Sequence, residues 1–199
     1  MKGRYWNLLM MCIFVLSIAA CSGGSGGSPG TSGSEETGIL IKAASVSKES
    51  PDIDVFQNPT LCDGEPEDAI TREDANIDLD LERINPNVIS DPLPASVEEC
   101  TITYLKANQD PAAPILDSLT IYPNCILGDG TNSCAVTLID ISRKTKYAND
   151  VLFQGINAPA EYPTHYVARY YCKYKNNFGD EGFFQVEFDM WLADFDTCA

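Results

Sequence analysis

"HYVARYYCKYKNNFGDEGFFQVEFDMWLADF", residues 165–195, is the stretch whose reading decides the fold. Apolar and polar residues alternate on both sides of "NNFGDEG", whose Asn, Gly and Asp suit a turn, so the stretch reads as two antiparallel strands in a hairpin. Folded there, even-numbered positions share a face, with Tyr170 opposite Phe188, Cys172 opposite Val186 and Ala168 opposite Met190. The other face pairs Arg169 with Asp189 and Tyr171 with Glu187. Such charge and aromatic pairs contribute about 0.2–1 kcal/mol each across a ladder. A slip of one residue would put Val186, Phe188 and Met190 in water. Tyr170, Tyr174, Phe184 and Phe188 are therefore expected in the core, and Tyr171, Phe183 and Trp191 on the opposite face.

Outward from the hairpin, the chain continues in strands. "ANIDLDLERI" (75–84) alternates Ile77, Leu79 and Leu81 with Asp78, Asp80 and Glu82, a period of two with one buried face. "EECTITYLKA" (98–107), "SLTIYPNCIL" (118–127) and "SCAVTLIDIS" (133–142) are rich in Thr, Ile, Val and Tyr and bounded by turn formers. "GILIKAASV" (38–46) reads as a first strand, and "NPNVISDPLPASV" (85–97) as a loop or edge segment. Pro51, Pro59, Pro66, Pro86, Pro92 and Pro94 argue against long helices between them. About seven short strands without helical periodicity or internal repeat predict an all-β antiparallel sandwich rather than a βαβ sheet.

The start of the chain has a different character. Lys2 and Arg4 precede Leu8–Ala20, a run that is apolar apart from Ser17 and too short to span a hydrocarbon core of roughly 30 Å. It has the form of a secretion signal. Ile18-Ala19-Ala20-Cys21 resembles the lipobox of bacterial lipoproteins. That resemblance implies removal of residues 1–20, a diacylglyceryl group on the Cys21 sulfur, and attachment to the cell envelope. With Ser22 rather than Asp after the cysteine, it further implies sorting to the outer membrane. Residues 21–34 are Cys21 followed by Ser, Gly, Pro and Thr, with no apolar surface to bury, and read as a flexible tether reaching roughly 20 Å. Gly23-Gly24-Ser25-Gly26-Gly27 matches a nucleophile-elbow pattern only formally, since that motif needs a strand before it and a helix after it. Residues 35–199 are left for one folded domain.

Charge and cysteine count narrow the function. The full chain carries −16; without Lys2 and Arg4, the 13 bases become 11 against 29 acids, or −18. That charge argues against nucleic acid or a bare anionic membrane as partner. Residues 63–99 hold 12 Asp and Glu against Arg72 and Arg83. Of 8 cysteines, Cys12 falls in the signal and Cys21 is the lipidation candidate, leaving an even set that reads as three disulfides in an exported chain. Cys125 and Cys134 flank the turn-rich "ILGDGTNS", Cys62 and Cys198 stand near the two ends of the domain, and Cys100 and Cys172 remain, both in strand-like segments. A metal or haem site lacks its ligand spacing: there is no C-x-x-C, and His is single.

Three chemistries are open. Asp78, Asp80 and Glu82, with Asp63, Glu65, Glu67 and Asp68, are candidate calcium ligands, although a solvated acidic face explains them with fewer demands, because calcium needs six to eight converging oxygens. Asp129 in "GDGTNS" reads as a turn residue. His165 is the one candidate histidine base, and no nucleophile or orienting acid is legible beside it. Paired carboxylates for glycoside hydrolysis stay open, since their separation cannot be read. Tyr171, Phe183 and Trp191 form an aromatic row that could stack on sugar, receive a protein, or be covered by the chain itself.

Tyr170-Tyr171-Cys172 places a Tyr two residues before a Cys in the penultimate strand, and on it the chain resembles the immunoglobulin-like domains of bacterial surface lipoproteins. The strand at 75–84 has no cysteine and that at 98–107 no tryptophan, so the antibody-type bridge and its packing partner are absent. The resemblance implies the sandwich architecture and a role in adhesion, assembly or spacing. The expected function is thus a lipid-anchored envelope module that binds another envelope or extracellular protein without catalysis or cofactor. The alternatives are a calcium- or glycan-binding module and, behind them, a carboxylate-based hydrolase.

Overall fold

The computed structural model of the chain describes residues 36–55, 70–85, 90–153 and 159–195. Within them the strands are β1 (Ile39–Ser47), β2 (Asp52–Asp54), β3 (Glu73–Arg83), β4 (Ala95–Lys106), β5 (Leu119–Ile121), β6 (Cys125–Leu127), β7 (Gly130–Ile139), β8 (Thr164–Lys175) and β9 (Glu181–Ala193). One sheet has the order β1-β3-β7; the larger has β2-β9-β8-β4-β5, with β6 also on β4. All pairs are antiparallel except β2 with β9. The fold is a mostly antiparallel, sandwich-like arrangement of two sheets.

The β8/β9 hairpin forms where expected, in a different register. Tyr170 lies opposite Val186, Cys172 opposite Phe184 and Ala168 opposite Phe188; Arg169 meets Glu187 and Tyr171 meets Gln185. This is a shift of two residues from the sequence expectation, so each side chain keeps its face. The turn explains the shift. Asn176 donates its backbone N–H to the Asp180 carbonyl at 3.0 Å, and its side-chain oxygen accepts the N–H groups of Phe178 (2.9 Å) and Asp180 (2.8 Å), which shortens the loop to 176–180. Gly182 then faces Tyr174. A Cβ at Gly182 would sit 2.3 Å from Tyr174 Cζ, so the buried ring packs over bare backbone there. A register two residues away would bring Phe184 against that ring instead.

Inner faces share one core. Ile39 and Ile41 of β1, Ile77, Leu79 and Leu81 of β3, and Val136 and Leu138 of β7 pack with Ile102 of β4, Tyr170 and Tyr174 of β8, and Phe184 and Val186 of β9. Phe188 is partly buried against this core rather than within it. Buried tyrosines tie the sheets: Tyr104 Oη on β4 donates to the Leu138 carbonyl on β7 at 2.8 Å, and Tyr170 Oη on β8 to that of Thr137 at 3.2 Å.

Four points differ from the sequence reading. Ala95–Val97, read as the end of a loop or edge segment, open β4, and Ser96 and Val97 pair with both β6 and β8. "SLTIYPNCIL" is two strands, β5 and β6, because Pro123 and Asn124, the latter at φ 50°, interrupt the ladder. The segment β2 adds a further short strand. "SCAVTLIDIS" ends as a strand at Ile139, since Asp140 caps a helix, α1 (Ile141–Tyr147), by accepting the Arg143 N–H at 3.0 Å. The chain continues from α1 as a π-helical turn, Ala148–Phe153. Two turns are too short for helical periodicity to stand out. Lys144 holds α1 down: its side chain is 2 % exposed, and its Nζ lies 2.9 Å from Glu73 Oε1 on β3.

Two disulfides are formed among the described residues. Cys100 and Cys172 lie directly opposite on β4 and β8 of one sheet, Cα atoms 4.0 Å apart. Cys125–Cys134 joins β6 to β7, one strand from each sheet, and so staples the sandwich at its corner. Cys62 and Cys198 lie outside the described residues.

The loops closed, 72 and 9 residues in sequence separation, set an order of stabilisation. In the chain-entropy account they contribute about 4 and about 3 kcal/mol. Urea unfolding of C100A/C172A should therefore show the larger loss and C125A/C134A the smaller; the reverse order would mean that the corner staple, not the long loop, governs stability.

Glu73 generates a second expectation. Burial opposes its ionisation, but the Lys144 hydrogen bond and the charges of Lys144 and Lys48 outweigh it and hold its carboxyl below the ordinary value. Its contribution is then present above the unfolded-state pKa of about 4.3 and is lost as pH falls through the lower folded-state value. E73Q should lose about 3 kcal/mol at pH 7, because the Lys144 ammonium is left buried, and the gap to wild type should narrow below about pH 4. A gap independent of pH would show that the ion pair is not its source.

Candidate functional site

The outer face of the larger sheet collects the aromatic row and the histidine singled out in the sequence. On β8 it presents His165, Arg169, Tyr171, Lys173 and Lys175; on β9, Glu181, Phe183, Gln185, Glu187, Asp189 and Trp191. Period two puts them outward because the alternate positions fill the core.

These residues form a ladder of diagonal and direct pairs. Tyr171 and Phe183 stack with centroids 5.4 Å apart and planes 14° from parallel. His165 and Trp191 stack more closely, at 4.4 Å and 10°. Between the stacks, Arg169 Nε lies 2.6 Å from Glu187 Oε1. At the turn end, Glu181 takes Lys173 (2.9 Å) and Lys175 (3.5 Å), and Lys175 also reaches Glu98 at 3.0 Å. The Glu181 carboxyl is held low by Lys173 first and then Lys175. Tyr171 is 52 % exposed, while Phe183 and Trp191 are half-buried. The aromatic row therefore lies open at its Tyr171 end, about 20 Å along the strands from Trp191.

His165 gains a partner that the sequence did not reveal. Its Nε2 is 2.8 Å from Asp189 Oδ1, across the ladder and two residues from Trp191. That is the orienting acid of a dyad. Among the described residues, no hydroxyl or thiol hydrogen-bonds the imidazole, whose partner is Asp189. The missed signal was the register: with the hairpin shifted by two, Asp189 moves from Arg169 to within reach of His165.

The acidic strand sits on the other outer face, that of the smaller sheet. Asp78 accepts hydrogen bonds from Ser47 (2.5 Å) and Ser133 (2.6 Å) on its two neighbouring strands. The Ser133 bond, then that of Ser47, lowers its pKa. Glu82 pairs with Lys42 at 2.8 Å. Asp78, Asp80 and Glu82 thus run in file along β3 rather than converge, and among the described residues no group of three or more His, Cys, Asp or Glu is placed to hold a metal ion. Asp63, Glu65, Glu67 and Asp68 lie outside the described residues, as does Cys21. Asp129 is paired with Arg83, which also takes Asp91 at 2.9 Å, so it joins two loops. Among the described residues no helix is long and apolar enough to cross a membrane.

No protein-family model, curated protein or solved structure matches the chain.

A calcium site with a Kd of about 0.1 mM, the tight end for extracellular modules, would in about 10 mM calcium add about 2.7 kcal/mol, or about 5 °C or more in Tm. Thermal melts with millimolar calcium and then with chelator should coincide. A reversible rise of that size would put calcium on this chain despite the dispersed carboxylates.

Proposed function

We propose that the chain is a lipid-anchored binding module of a bacterial envelope. Acylated Cys21 is its anchor, residues 22–34 are its tether, and the outer face of the β8/β9 sheet receives a protein partner without catalysis. The observation that carries this reading is the ladder on that face, where stacked aromatics and formed ion pairs line the surface with Tyr171 half exposed. Aromatics with Arg at the centre of a surface are the composition of protein interfaces. A glycan draws less support, because each ring of a stacked pair already covers one face of its neighbour. A carboxylate-based hydrolase draws less still, because the carboxylates of this face are tied up in pairs, Glu187 with Arg169, Glu181 with Lys173 and Lys175, and Asp189 with His165.

The finer fold belongs to the same proposal: an immunoglobulin-like sandwich. In that fold the first, second, fourth and fifth strands make one sheet, and the third, sixth and seventh the other; among the described residues the smaller sheet here lacks a counterpart of the fourth. The order β1-β3-β7 beside β9-β8-β4, with β5 added beyond β4, supports it. So does Tyr170, two residues before Cys172 on β8. The bridge departs from the antibody pattern, since Cys100–Cys172 links neighbours within one sheet.

A short cross-linker applied to whole cells tests the reading. The wild-type chain should capture a recurrent partner, Y171E should lose it, and C21S should leave the membrane fraction and take no lipid label. Capture unaffected by Y171E would move the binding site off this face, and a lipid-labelled C21S would remove the anchor.

A further inference from the structure

The charges of this face lie in stripes. Arg169, Lys173 and Lys175 stand on β8, and Glu181, Glu187 and Asp189 on β9, in rows that set Arg169 beside Glu187 and Lys175 beside Glu181. Three cations against three anions leave the hairpin face neutral on a chain whose net charge is −16. The outer face of the smaller sheet, with Asp74, Asp78, Asp80 and Glu82 against Lys42, would repel its own copy. We propose that the hairpin face pairs with a second copy of the chain about a two-fold axis running along the hairpin between β8 and β9. This rests on the reading of that face as the binding surface.

Such an axis carries each β8 position onto the same-row position of β9 in the other copy. Arg169 then faces the second copy's Glu187, and Lys175 its Glu181. Lys173 faces its Phe183, a cation against an aromatic ring. His165 faces its Trp191, and the rotation returns every contact a second time. The face is self-complementary row by row, which is what an isologous interface requires. Strands of the two copies run nearly aligned, the ordinary packing of sheet on sheet. The axis sets β8 and β9, of 12 and 13 residues, over β9 and β8 of the second copy, while β4 falls over the three-residue β2. At about 4.8 Å per strand and 3.3 Å per residue the hairpin covers about 400 Å² in plan, below the about 600–1,000 Å² per partner of stable interfaces and the size of a weak, transient pair. A salt-sensitive dimer of modest affinity follows.

Two charge reversals test it on the full chain in detergent, with mass read by light scattering between about 1 and 100 µM. Wild type should dimerise, with affinity falling about tenfold or more at 1 M salt. R169E and E187R should each be monomeric, because each sets like charges face to face. Mixed in equal amounts, they should dimerise again, since the two-fold axis then sets opposite charges in both contacts. No effect within one chain can produce that rescue, and circular dichroism confirms that each variant is folded. Wild type monomeric throughout, or a mixture that stays monomeric, overturns the self-pairing. If the Y171E-sensitive capture of a different protein persists in that case, the binding face stands and only its partner changes; if that capture is also absent, both readings fall.

Discussion

Five tyrosine hydroxyls must find acceptors inside this sandwich, and the rest of the fold depends on their doing so. Tyr104 and Tyr170 bond to carbonyls of β7, Tyr174 to Thr37 at the head of β1, Tyr166 to the Pro114 carbonyl, and Tyr147 to the Leu192 carbonyl and to Thr164. A phenol buried without a partner costs roughly 1–3 kcal/mol, so each ring constrains both its own strand and the one it reaches. Burial pushes the Tyr147 phenol up to about 12 and those of Tyr104, Tyr166 and Tyr170 well above the ordinary value, so all remain neutral donors. No buried side-chain nitrogen or oxygen among the described residues is left without a partner.

The same requirement reaches the outer surface. Tyr174 can point inward to Thr37 because Gly182 lies across from it, and that pairing fixes the hairpin register. From the register follow Arg169 beside Glu187 and Asp189 within reach of His165. A packing constraint in the core thus composes the face proposed to bind.

Several sequence expectations came through because they depend on local periodicity. Alternation in 75–84 and 165–195 placed Ile77, Leu79, Tyr170 and Phe184 inside, and each is buried. Two of the three expected disulfides join the expected cysteines, although only the structure shows that Cys125–Cys134 bridges the sheets. The α1 helix was hidden because two turns carry too little pattern. Its anchor, Lys144 on Glu73, joins residues far apart in the chain.

The sequence by itself determined which residues face inward along each strand, because side chains alternate whatever the pairing partner. It also determined the chain's acidity and its supply of cysteines. Only the tertiary structure decided the register of β8 on β9, the sheet to which each strand belongs, and the company of His165. Parity survives a slip of two residues, so periodicity cannot detect one. The choice falls to Tyr174, Gly182 and the Asn176 turn, which act only once the two strands are together.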